Sequence, residues 1–185
     1  MKLHFHTLCA ALLLASLSTA RADDFSLRSP TFQAEKSLPH AHVYNGFGCS
    51  GGNRSPALQW QNAPAGTKSF AITLYDPDAP TGSGWWHWVV YNIPAQVQAL
   101  PEDAGNAKGQ GLPVGAMQGR TDFGTPGFGG ACPPAGMGMH RYVMTIHALK
   151  VEQLSVPADA SPAMVGFMIH MNRLGSAVLQ STYGR

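Results

Sequence analysis

Apolar residues in this chain fall mostly into short runs of period two, with one late stretch of helical spacing. From Ser69 to Tyr75, Phe70, Ile72 and Leu74 alternate with Ala71, Thr73 and Tyr75, which predicts a half-buried strand. Trp86 to Ile93 is almost continuously apolar, aromatic or β-branched, as in a central strand covered on both faces. Arg141 to Leu149 predicts a third strand, with Tyr142, Met144 and Ile146 on one face; its Val, Thr, Ile and Tyr content disfavours a helix. Ser161-Pro162 reads as a helix start, Ser as N-cap and Pro at the first helical position. Met164, Phe167, Met168 and Met171 continue it as an apolar stripe whose simplest use is core packing. Val178 to Tyr183 is expected to return as a short strand.

The first 22 residues read differently. Lys2 opens a short basic start, Leu8 to Leu17 is an apolar run, and Ala20-Arg21-Ala22 has the small-x-small pattern of a cleavage site. The run is shorter than the ~20 apolar residues of a membrane span. Residues 1–22 are therefore expected to be a signal peptide, and 23–185, starting at Asp23, one domain exported to the periplasm or secreted. Cys9 lies inside the apolar run rather than after it, so lipidation and a stable membrane anchor are not expected.

Without that leader, ten basic residues face ten acidic ones, which leaves no basic footprint for nucleic acid. With 44% apolar residues the chain can bury a full core. Two cysteines remain, Cys49 and Cys132, and in an oxidising compartment a pair suggests a disulfide, two free thiols being the alternative.

Eleven of the 21 glycines lie between Gly105 and Gly138, a long loop region of the kind that carries function. It has no Walker A or dinucleotide spacing. Three motifs surround it. Asp76-Pro77-Asp78-Ala79-Pro80 follows a strand, and its prolines make a rigid exit that holds the carboxylates in place. Trp85-Trp86-His87-Trp88 opens the central strand, and Cys132-Pro133-Pro134 leads through Gly136 and Gly138 to His140-Arg141-Tyr142. By strand parity His140 and Tyr142 share a face and His147 takes the other. Two imidazoles, a fixed carboxylate and a glycine-rich loop suggest an anion pocket, in which a carboxylate orients one ring and the other ring nitrogen donates outward. The bland alternatives are an ordinary turn and core histidines. His40 and His42, sharing a strand face, read as a surface pair rather than a metal site.

Taken together, Asp76-Pro77-Asp78-Ala79-Pro80, Trp86-His87, Pro133-Pro134, Gly138 and His140-Arg141-Tyr142 resemble the phosphatidylethanolamine-binding protein family. The bacterial YbhB/YbcL-type branch, also called Raf kinase inhibitor-like, is closer still. Thr81 to Trp88, Arg120-Thr121-Asp122-Phe123-Gly124 and Ala163 to Phe167 are similar to its other blocks, and Gly46-Phe47-Gly48-Cys49 with Gly129 to Pro134 to its exported, two-cysteine YbcL side. The resemblance implies a mainly β single domain: a large antiparallel sheet in Greek-key arrangement packed with a smaller sheet, plus a few peripheral helices. It also implies a pocket for a small anion or phosphorylated headgroup, lined by Asp76, His87, His140 and Tyr142. Gly130 and Pro134 would form its loop wall, while Asp78 and Pro80 brace the turn. A Cys49–Cys132 bridge would pin that wall.

The leading expectation is a non-catalytic exported binding protein, with no cofactor or metal, that modulates a partner protein. The alternatives are a metal-assisted phosphoesterase built on the two carboxylates and two histidines, or a pure protein-binding inhibitor module. Bacterial members of the family make a homodimer a reasonable expectation.

Overall fold

The structure, a computed structural model, describes residues 24–185. The expected signal peptide at 1–22, the start at Asp23 and Cys9 lie outside the described residues. In chain order the elements are β1 (Ser26–Arg28), β2 (Asn45–Gly46), β3 (Cys49–Ser50), β4 (Leu58–Gln61), β5 (Ser69–Asp76), β6 (Trp85–Pro94), β7 (Ala99–Leu100), β8 (Met117–Gln118), β9 (His140–Leu149), α1 (Pro162–Asn172) and β10 (Arg173–Tyr183). A 3-10 turn spans His40–His42.

Five strands form the main sheet in the order β10-β9-β5-β6-β8, three form a smaller one as β1-β4-β7, and β2 with β3 makes a hairpin. All of these pairings are antiparallel. β5, β6 and β8 neighbour one another in order and β9 crosses back to lie beside β5, the arrangement of a Greek key. The fold is mainly β with α1 its one α-helix among the described residues, where a few helices were expected.

The main sheet is buried on both faces. One side, carrying Phe70, Ile72, Leu74, Trp88, Tyr142, Met144 and Ile146, packs against Leu58 and Trp60 of the small sheet. The other, carrying Ala71, Val89, Tyr91 and Leu149, is covered by Val165 and Ile169 of α1. This corrects the reading of Ser69–Tyr75 as half-buried: β5 is the middle strand of the sheet, and Ala71 and Thr73 are buried along with Phe70, Ile72 and Leu74. β6, expected to be central, lies one strand from the edge but is equally covered, because loop backbone runs beside it.

α1 begins where expected, Ser161 Oγ accepting from Met164 N–H. Its buried face differs. Pro162, Val165 and Ile169 face the sheet, while Met164, Phe167 and Met171 are about half exposed. Apolar residues occur nearly all round this helix, so spacing alone could not choose the face; the sheet takes the compact β-branched pair at i and i+4. The tail strand is also longer than expected, running from Arg173 to Tyr183 along β9. No helix among the described residues is long and apolar enough to cross a membrane.

Candidate functional site

At the end of the main sheet where β5 exits and β9 enters, a cavity of about 200 Å³ opens. Asp76, His87, His140 and Tyr142 line its floor, and Phe47, Ala79, Pro80, Thr81, Trp85, Phe123, Cys132, Pro133 and Pro134 its walls. Four of the six expected pocket residues thus meet at its floor, and Pro134 stands in its wall.

Each side chain arrives by a different device. Asp76 ends β5, and one carboxylate oxygen accepts the Asp78 backbone N–H at 2.8 Å, closing the proline-stiffened turn. Its other oxygen accepts from His140 Nδ1 at 2.8 Å; both side chains are buried. His140 and Tyr142 reach the cavity by the two-residue period of β9. His147 takes the opposite face, where Nε2 meets Thr73 Oγ1 at 3.1 Å.

His87 arrives by a bulge. β5 pairs Leu74 with Trp88 and Tyr75 with Trp86, which leaves His87 as the extra residue of β6. Strict alternation from Val89 and Tyr91 would send His87 to the α1 face. The bulge turns it to the Tyr142 side instead, where the two rings meet edge to face at 5.2 Å. Glycine-rich loop backbone secures the bulge: Gly129 N–H donates to His87 O, and His87 Nδ1 donates to Gly129 O at 2.8 Å. Asp122 repeats the arrangement one residue earlier, accepting Trp86 N–H and donating its own N–H to Trp86 O. Gly129 must be glycine because a Cβ there would lie 2.1 Å from the Phe123 ring.

One expected pocket residue sits elsewhere. Gly130 does not line the cavity; it packs against the His42–Tyr44 backbone, where a Cβ would be 2.4 Å from a carbonyl oxygen. Its N–H donates to Asn53 Oδ1, so it anchors the loop from behind, while Cys132, Pro133 and Pro134 make the wall. Asp78 turns away and grips Arg141, accepting its backbone N–H, Nε–H and Nη2–H. That guanidinium holds the Asp78 carboxyl down to about 2. Asp78 braces the turn as expected, and Pro80 also contributes to the wall. His40 and His42 are not a strand pair: they lie on the 3-10 turn, with His42 buried and both its ring nitrogens bonded, to Arg54 O and Thr31 Oγ1. Among the described residues no three His, Cys, Asp or Glu side chains gather as a metal-ligand set.

Burial pushes the His87 imidazole below its ordinary value, against the opposing pull of the Gly129 carbonyl and the Asp76 charge. With its Nδ1 proton held by Gly129, the neutral ring turns a lone pair at Nε2 outward. Burial, aided by Asp76, pushes the Tyr142 hydroxyl up, so it remains a proton donor. Its Oη is buried without a hydrogen-bond partner among the described residues.

The mouth was not anticipated from strand patterning. Phe123 lies between Tyr44 and Phe47, their centroids 4.5 and 5.9 Å away, and meets Trp85 and His87 edge to face. Phe47 occupies the two-residue turn between β2 and β3, where both Phe47 (φ 52°) and Gly48 (φ 80°) are left-handed. A primed hairpin turn needs that backbone, but in a phenylalanine it costs about 1–2 kcal/mol. The bond between Cys49 and Cys132, with Cα atoms 6.0 Å apart, fastens this hairpin to the cavity wall.

Comparison with known proteins agrees with this architecture. A sequence model described as phosphatidylethanolamine-binding protein matches residues 28–184. YbcL of Escherichia coli (strain K12) is 51% identical over 178 residues, 96% of this chain and 97% of its own length. YbhB of the same organism is 53% identical over 146 residues, covering 79% and 91% respectively. The crystal structure of E. coli YbcL, described as a member of the mammalian PEBP family, superposes with a TM-score of 0.86 at 52% identity, covering 88% of this chain and 99% of that one.

Proposed function

Because the chain belongs to the phosphatidylethanolamine-binding protein family, we propose that it is a non-catalytic binding protein whose cavity takes a small anion or phosphorylated headgroup. One observation carries the reading: a buried Tyr142 hydroxyl with no hydrogen-bond partner among the described residues faces a cavity floored by His87 and the Asp76–His140 pair. A buried hydroxyl left unpaired is costly, and an anionic oxygen would satisfy it. Asp76 orients His140 by accepting a hydrogen bond from its Nδ1–H, which turns Nε2 toward the cavity. The Gly129 carbonyl does the same for His87.

At the cavity face the neutral His87 ring offers an acceptor and only the charged ring a donor. Anion binding at His87 therefore takes up a proton, and the burial that lowers this imidazole sets the sign. Calorimetric titration of the oxidised protein with phosphate and phosphoethanolamine is expected to give saturable binding, weakened ten- to hundredfold by His87→Ala with the fold intact. Sulfate, whose charge does not change over the range, is expected to bind more tightly as pH falls from about 8 to 5. Affinities untouched by His87→Ala would sink the reading.

The same reading puts the protein in an oxidising compartment outside the cytosol, supported by the Cys49–Cys132 bond and the leader-like residues 1–22. Intact mass without reductant is expected to fit a chain starting at Asp23 and two hydrogens lighter than its dithiol form. A full-length reduced mass would overturn it.

A further inference from the structure

We infer that Phe47 determines ligand choice at this cavity, making it prefer a phosphate monoester with a compact, ring-bearing apolar substituent over inorganic phosphate. The inference rests on the anion-binding reading above and goes beyond it to the class of molecule attached to the anion.

Apart from Thr81, whose hydroxyl donates to Gly84 O, the polar side chains lie on the cavity floor. Outward from Asp76, His87, His140 and Tyr142, the walls are Phe47, Trp85, Phe123 and the prolines at 80, 133 and 134. About 200 Å³ exceeds what a bare phosphate fills, given about 30 Å³ for each liquid water. An anion seated on the floor thus leaves space lined by rings rather than donors.

Phe47 is the anomalous member of that wall. It is 67% exposed, and it occupies a left-handed turn position that asparagine or glycine would fill more easily. Nothing in the hairpin's own geometry calls for phenylalanine. Three fasteners nevertheless hold the turn over the cavity. The Cys49–Cys132 bond ties its C-terminal side to the wall. Arg185 donates to Phe47 O, Gly48 O and Pro133 O, clamping the turn to the proline wall. The Phe47 ring lies near-parallel to Phe123, at 16° and 5.9 Å. Backbone strain maintained by surrounding structure beside a cavity is the pattern of a site that needs that side chain there. Its exposed ring is surface that a substituent can cover, and the parallel Phe47 and Phe123 planes favour a flat one.

The test is calorimetric titration of the oxidised protein with inorganic phosphate, phenyl phosphate and butyl phosphate, repeated with Phe47→Ala and Phe47→Asn. Phenyl phosphate is expected to bind wild type at least tenfold more tightly than inorganic phosphate, with butyl phosphate between them. Both variants are expected to erase most of that preference, bringing the phenyl phosphate to inorganic phosphate affinity ratio down to within about twofold of unity. Phe47→Asn keeps the turn, so its thermal midpoint is expected to hold or rise, which separates lost selectivity from misfolding. Equal loss for all three ligands, or an unchanged ratio, overturns this inference alone. No binding of any of them by wild type overturns the anion-site reading as well.

Discussion

Replacing Cys49 and Cys132 together by serine is expected to lower the unfolding free energy by roughly 4 kcal/mol. The bond spans 83 residues, and closing a loop of that length removes about that much chain entropy from the unfolded state. The enclosed segment holds β4 to β8, so without the bond the unfolded chain regains freedom over two of the main sheet's three inner strands. In the folded state the Val43–Ala131 bridge and the Arg185 clamp still hold the hairpin near the wall, so the native fold is expected to persist. Urea unfolding followed by fluorescence, for the oxidised protein and the double variant, measures the difference. A loss below about 1 kcal/mol would mean that the bond does not restrain the unfolded ensemble.

The second large effect is an acid limb traceable to His147. Burial, with Arg173 adding to it, pushes this imidazole down to about 4, and its Nδ1 has no hydrogen-bond partner among the described residues. Unfolded, the same ring takes a proton near pH 6.5. Between those values the unfolded state binds the extra proton, so stability is full above pH 6.5, falls as pH drops toward 4, and flattens below. The difference corresponds to about 3 kcal/mol. His42 and His87, also lowered by burial, act in the same direction, so total stability does not isolate the effect. His147→Gln does: it keeps a partner for Thr73 and cannot charge. Its stability is expected to fall less steeply over that interval. Parallel curves for wild type and variant would show that His147 does not titrate on unfolding.

Local pattern alone identified much of this fold. The β-rich runs at 69–75, 86–93 and 141–149 each became a strand of the main sheet, because alternating or continuous apolar residues in short runs have few other ways to be buried. Ser161-Pro162 marked its helix start through a cap that depends only on neighbouring residues. Asp76, Asp78, His140 and Tyr142 were legible for the same reason: a proline-stiffened turn and a two-residue period act within one element.

Where contact between elements decides, the pattern fell short. Met164, Phe167 and Met171 read as core and lie outside, since the sheet's shape selected Val165 and Ile169. Gly130 stands behind the cavity because the His42–Tyr44 backbone occupies the space beside it. Phe47 carries no periodic signal at all; its place at the mouth comes from a bond to a residue 83 positions from its neighbour Cys49.

By itself, then, the sequence determined which segments extend, where the helix begins, and that two carboxylates and two histidines sit at strand ends. Tertiary structure decided how His87, which the family resemblance had placed in the pocket, turns to the cavity side, since its side depends on one unpaired residue where β6 meets β5. A single-residue offset reverses which face a strand side chain takes, and only the partner strand's register sets that offset.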